Sequence, residues 1–170
     1  MGNVLNFYRG GSVQIVLANV RDAKSLSYLK KDIWETTYRG IYEDCEIDNY
    51  DYVKREEKFK KLILSDDQEV YVCKYSNKII GYMVLGVPLH DSLEGYDLVI
   101  NDLAVSKEHQ GKGIGKMFFE IAKSKGKKLL NCCNYYNKDA QKFYEKMGGK
   151  IEKINFDENS KANSQIFYVY

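Results

Sequence analysis

The sequence predicts an α/β (α+β) domain, with helices packed on a mixed β-sheet. Three observations predict it. Short apolar runs of strand character alternate with stretches of helical spacing, most regularly in the later half of the chain. The 170 residues, 44% hydrophobic and 29% charged, suit one globular domain that buries a core without staples. One proline, Pro88, and 13 glycines exclude a Pro/Gly-rich linker or a collagen-like repeat.

Residues 1–12, ending in Gly10-Gly11-Ser12, read as an extension ahead of a single domain over 13–170. Val13, Ile15 and Leu17, spaced by two, mark a first strand. Asp22 is the predicted N-cap of a helix reaching about Thr37, with Leu26, Leu29, Ile33 and Trp34 as its apolar stripe. Arg39–Asp51 reads as loop around Gly40. A second helix covers Tyr50–Leu64, with Val53, Phe59, Leu62 and Ile63 inward, and Ser65-Asp66-Asp67 breaks it. Val70–Tyr75 and Ile79–Val87 form a hairpin around Ser76-Asn77-Lys78. A polar loop over 88–96 precedes the apolar strand Asp97–Val105. Then follow a loop to Gly113, a helix Ile114–Lys125 and a strand Lys128–Cys133. The helix Asn137–Met147 stops at Gly148-Gly149, and the strands Lys150–Phe156 and Gln165–Tyr170 close the chain.

Several function classes drop out early. The longest apolar run, Ile79–Leu89, is too short to cross a bilayer as a helix. The N-terminus has no basic segment followed by an apolar one, and Asn6 stands where a myristoylation signal needs Ser or Thr. The expected compartment is the cytoplasm, with no membrane partner. Cys45, Cys73, Cys132 and Cys133 form no C-x-x-C pair, so reduced, mostly buried thiols are expected and no metal site. Acids outnumber bases over 1–105, whereas lysines dominate 106–153. An anionic partner is expected near the later segment and a cationic one elsewhere. Those later lysines are scattered over two helices without arginine or a base-reading motif, which argues against nucleic acid.

The most informative segment is Val105–Gly115, between a strand and a helix. Ile114, Met117, Phe118, Ile121 and Ala122 give that helix one apolar face. Glycines at 111, 113 and 115 let the backbone turn tightly and present its N–H groups at the helix start, a site for phosphate oxygens. Lys112 and Lys116 add positive charge there. Gly115-Lys116 is followed by Met117, so a Walker loop fails. Gly111-x-Gly113 is followed by Lys116 where a dinucleotide fingerprint needs a third glycine, so that fails too.

Gln110-Gly-Lys-Gly-Ile-Gly115 resembles the Q/R-x-x-G-x-G/A acetyl-CoA loop of the GNAT N-acetyltransferase superfamily. The resemblance covers nearly the whole domain. Asn101-Asp-Leu-Ala-Val105 is similar to the strand entering the loop. Asn137-Lys-Asp-Ala-Gln-Lys-Phe-Tyr144 with Glu-Lys-Met-Gly-Gly149 is similar to the next helix and its stop. Trp34-Glu-Thr-Thr-Tyr-Arg-Gly40 is similar to a frequent pattern after the first helix. The resemblance implies a mostly antiparallel sheet of six to seven strands with about four helices. Its central parallel strands, here Asp97–Val105 and Lys128–Cys133, splay at the cofactor site. It implies acetyl-CoA as cofactor, with its diphosphate on the amides of Gln110, Gly111, Lys112, Gly113, Ile114 and Gly115. Its pantetheine arm would lie along Leu103, Ala104 and Val105 as an added strand. Asn137 would contact that arm, Tyr144 would reach the sulfur, and a homodimer is the family-level expectation.

The implied reaction is attack of a neutral amine on the thioester, with Tyr144 as general acid for the leaving thiolate. Simple packing on the stripe Ala140, Phe143, Tyr144 and Met147 is the competing role for that tyrosine. Asp102 is the carboxylate nearest Leu103–Val105 and the candidate base; an acid capped by loop amides is its other reading. In the resembled fold the segments 43–51 and 90–102 border the acceptor side. Their acidic residues, with Trp34, Tyr38 and Tyr42 as aromatic faces, would suit a cationic amine acceptor, a small molecule or a peptide N-terminus; solvated loops with core aromatics are the other reading. A non-catalytic acyl-CoA-binding module is the rival reading. His90 and His109 are expected as exposed loop residues without a role.

Overall fold

The computed structural model describes the backbone of residues 4–8, 11–89 and 95–170. Its strands are β1 (Val4–Tyr8), β2 (Gly11–Leu17), β3 (Gln68–Tyr75), β4 (Lys78–Gly86), β5 (Leu98–Val105), β6 (Leu129–Asn134), β7 (Lys150–Asn155) and β8 (Gln165–Val169). Its α-helices are α1 (Ala23–Ile33), α2 (Asp44–Asp48), α3 (Tyr52–Ile63), α4 (Ile114–Ser124) and α5 (Lys138–Lys146). The strands form one sheet in the order β1-β2-β3-β4-β5-β6-β8-β7. Every neighbouring pair is antiparallel except β5 with β6. The mixed, mostly antiparallel sheet with its central parallel pair is the expected one.

Local departures have physical reasons. The eighth strand is β1, whose backbone pairs with β2 from Val4↔Ile15 to Tyr8↔Gly11, so part of the expected extension is an edge strand. Asp22 stands at the N-cap of α1, but its side chain makes no capping bond there. It closes a capping box on Asn19, accepting that residue's N–H at 3.0 Å, and pairs with Lys74 at 2.8 Å. The expected loop at 39–51 contains the short α2. Leu17 and Val53, expected inward, are 50% and 73% exposed, because both stand at the rims of their elements. Of the four cysteines only Cys73 is buried. The loop expected over 88–96, with His90, Asp91 and Glu94, falls largely outside the described residues.

Two cores sandwich the sheet. On one face α1 and α3 contribute Ala23, Leu26, Leu29, Ile33 and Phe59 against Val70, Val72, Tyr82 and Val84. On the other, α4 supplies Ile114, Phe118, Phe119 and Ala122, and α5 supplies Tyr144, against Met83, Leu85, Leu98 and Ile100. Phe118 and Phe119 are at most 1% exposed, and each contributes roughly 1.5–3 kcal/mol by leaving water. Helix α5 ends in two paired bonds, Gly148 N–H to Glu145 O and Gly149 N–H to Tyr144 O, both 3.0 Å.

The centre of the sheet is irregular in two ways. Strands β5 and β6 pair only at Leu98↔Leu129, Val99↔Leu130 and Ile100↔Asn131. Beyond Ile100 they part, leaving one edge of β5 unpaired from Asn101 onward. Pairing of β4 with β5 also slips there, from Leu85↔Ile100 to Val84↔Asp102, so Asn101 is a bulge. Its side chain is held by Gln68, Val87 O and Leu89 N–H at 2.8–3.0 Å. Before the bulge, Leu98 and Ile100 face the α4 core. After it, Leu103 and Val105 do.

Candidate active site

The parted strands open into a cleft of about 1050 Å³ that both helical layers border. The catalytic, cofactor-binding and aromatic residues expected from the sequence all line it except Lys112. On the α4 side lie Gln110, Gly111, Gly113, Ile114, Gly115, Lys116, Asn137 and Tyr144. The open edge of β5 contributes Asp102, Leu103, Ala104 and Val105. The α1 side contributes Trp34, Tyr38 and Tyr42.

The glycine loop has the geometry of an anion cradle. Gly111 and Gly113 hold φ of +71° and +91°, which side-chain-bearing residues rarely adopt. Gly113 caps α4 with no side chain over the helix mouth. Met117 N–H is the first to reach back along the helix, to Gly113 O at 3.1 Å. The amides of Ile114, Gly115 and Lys116 before it therefore have no intrahelical acceptor. At Gly115 a Cβ would meet the Phe143 ring at 3.1 Å, so glycine lets α5 close over the first turn. Gln110 Nε2 donates to Val105 O at 2.9 Å and ties the loop to the strand end. Lys107, Lys116, Lys138, Lys142 and Lys146 line this half of the cleft. Donors, charge and an unpaired strand edge fit an extended, diphosphate-bearing thioester.

Tyr144 is 5% exposed and packs in the α4-side core while bordering the cleft. Burial, with Cys133 adding, pushes its hydroxyl well above the ordinary tyrosine range, so it stays protonated. Asn137 caps α5, its Oδ1 accepting Ala140 N–H at 3.1 Å. Cys132 and Cys133 also line the notch, and desolvation by its walls holds their thiols up at about 11 and about 12.

The α1 side departs from expectation. After α1 the chain makes a wider π turn over Trp34–Tyr38, of a kind frequent at functional sites. Tyr38 stacks on Tyr42 with ring centroids 4.7 Å apart and planes 5° apart, and Trp34 meets Tyr42 edge-on at 5.4 Å. A cation already covers Trp34, since the Arg55 guanidinium lies 5.1 Å from its ring. Burial first, then Tyr42, raises the Tyr38 hydroxyl. Asp102 is held by neither loop amides nor solvent alone. Its Oδ2 accepts from Lys30 Nζ and, at 2.9 Å, from the buried Tyr82 hydroxyl. Its Oδ1 has no protein partner among the described residues.

The acidic lining expected from 43–51 is not there. None of Glu43, Asp44, Glu46, Asp48 and Asp51 lines the cleft. Arg39 draws Asp44 and Asp48 to itself at 3.0 and 2.5 Å, together with Glu35 at 2.7 Å. Among the described residues Asp102 and Asp139 are the only acids of the lining. The α1 side is instead cationic, with Lys30, Arg55 and Lys58. The sequence reading missed these three. Their signal was helical spacing: Arg55 and Lys58 share a stripe with Phe59 and Leu62 on α3. His109 lines the cleft too, its Nδ1 2.7 Å from Ser106 Oγ.

Fold and cleft together define a transferase scaffold with a glycine-lined anion cradle beside an open strand edge. A family model described as acetyltransferase (GNAT) family matches residues 29–149, and the chain belongs to that family. Acetyl-CoA is the family's acyl donor. Comparison with curated proteins returns no match. Among solved structures, the chain is similar to the PaiA N-acetyltransferase of Thermoplasma acidophilum in complex with coenzyme A. That likeness has 22% identity and a TM-score of 0.73, over 94% of this chain and 99% of that one. An acetyltransferase of Thermus thermophilus follows at 16% identity and TM-score 0.71, over 93% and 96%. A Bacillus anthracis structure in complex with acetyl coenzyme A is 26% identical with TM-score 0.55, over 66% and 67%. No described helix is long and apolar enough to cross a membrane.

Proposed function

We propose that this protein moves an acetyl group from acetyl-CoA to the primary amine of a small molecule or peptide, by direct attack and with Tyr144 as general acid. The observation that carries this reading is the juxtaposition in one cleft of a glycine-lined helix mouth, the unpaired edge of β5 and a protonated buried phenol. The amides of Gly113 to Lys116 would hold the diphosphate, and Leu103–Val105 would hydrogen-bond the pantetheine arm. When bound, acetyl-CoA supplies an acetyl group on a thioester, whose C–S bond breaks as the acceptor nitrogen takes the acetyl carbon. Tyr144 holds a proton at its hydroxyl for the departing sulfur. Asp102 orients the acceptor ammonium at Oδ1 and accepts its proton. Cys132 and Cys133 stay thiols at neutral pH, which supports direct transfer over an acyl-cysteine route. The test is release of CoA thiol across a panel of amines, amino acids and peptides. Turnover that falls in Tyr144→Phe supports the reading. Tight CoA binding with no turnover on any amine points to the acyl-CoA-binding module instead.

A further inference from the structure

The acceptor half of the cleft is a charge pattern of three cations against one carboxylate. Lys30 is committed to Asp102. Arg55 and Lys58, one helical turn apart on α3, also line the cleft, and neither has a carboxylate partner among the described residues. The acids near them in sequence are spent elsewhere, since Glu56 and Glu57 pair with Lys60 at 2.9 and 2.7 Å. Helix α3 packs on the sheet face opposite α4, so these cations lie across the sheet from the glycine loop. The diphosphate cradle and its own lysines do not need them.

Resting on the transferase reading above, we propose that the acceptor is a small amine that also carries an oxyanion, a carboxylate or a phosphate, bound by Arg55 and Lys58 while Asp102 receives its ammonium. Arg55 is shaped for this role. Its guanidinium lies over Trp34 at 5.1 Å and over Tyr50 at 5.4 Å, two rings that anchor it at the cleft, and a guanidinium carries its N–H donors in a fork that matches an oxyanion. Lys58 adds a point charge beside that fork. Partial desolvation at the cleft wall first, then Arg55 and Lys30, lowers the exposed Lys58 ammonium, and an incoming anion opposes that shift. An ammonium end and an oxyanion end would thus meet groups of opposite sign. A polyamine would satisfy Asp102 and meet repulsion everywhere else on this side.

Calorimetric titration of the full chain saturated with CoA tests this without turnover. The ligands are amino acids and dipeptides with their C-terminal amides, phosphoethanolamine with ethanolamine, and spermidine. An oxyanion member should bind about 10-fold or more tightly than its neutral counterpart, as hydrogen bonds to charged groups allow. The carboxylate and phosphate pairs decide which oxyanion is read. Lys58→Gln, at an exposed position, and Arg55→Gln should each bring the ratio toward unity with CoA affinity unchanged. Amides or spermidine binding as tightly, a ratio that survives in both variants, or CoA binding with no panel member bound would each overturn the proposal. Failure of CoA itself to bind would bring down the transferase reading instead.

Discussion

The two sides of the cleft are built from different materials. The α4 side is chiefly a backbone site: its anion donors are amides, its shape comes from glycines, and its lysines only add charge. The α1 side is a side-chain site, made of Trp34, Tyr38, Tyr42, Lys30, Arg55, Lys58 and Asp102 converging from α1, the π turn and the segment after it, α3 and β5. A backbone site is local in sequence, since one loop and one helix start suffice. A side-chain site depends on which rotamers and partners win, which is a property of the packed molecule.

Substitutions can break or sharpen this contrast. Gly113→Glu should do the most damage, because it puts a side chain on a φ of +91° and a negative charge at the helix mouth. Acetyl-CoA affinity should fall by more than about 100-fold in calorimetry, and Gly113→Ala should lose far less. Tyr144→Phe should lower kcat by about 10- to 100-fold with CoA affinity nearly kept, and unchanged kcat would remove the acid from the backbone-built side. Burial favours the neutral phenol of Tyr144, so the folded chain resists an ionisation that the unfolded chain undergoes near the ordinary value of 10.0. Stability from this group is full below that pH and is lost as pH rises through the raised value. In a difference titration against Tyr144→Phe, the phenolate of Tyr144 should therefore appear only together with unfolding. Gly115→Ala should cost about 1–3 kcal/mol in denaturant melts by overpacking against Phe143. Smallest of all, Asp48→Asn should leave acceptor KM within about twofold, since an exposed pair with Arg39 outside the cleft adds little. A large KM change there would restore the acidic-lining idea.

Much of the fold was legible in the sequence. Ile114, Phe118 and Ala122 announce the buried face of α4, and Gly148-Gly149 announces its neighbour's end. The cradle was legible for the same reason, as consecutive residues between a strand and a helix. The acceptor side was not. The acids at 44 and 48 look like a lining until Arg39, which lies outside the acid run, gathers them in. Asp102 looks like a free base until Lys30, 72 residues away, reaches it. The edge strand β1 was also hidden, because its role rests on pairing with β2 and not on an apolar pattern.

The bulge at Asn101 has a consequence for the whole site. An unbroken strand would carry the alternation of Leu98 and Ile100 straight on to position 102, thrusting a carboxylate into the oily layer beneath α4. One inserted residue reverses the parity, so that a single strand upholsters one compartment with aliphatics and arms the other with its acid. Drawing Asn101 back into regular pairing with β4 would exchange those allegiances in one stroke, sending the charge into grease and the leucine at 103 toward Lys30.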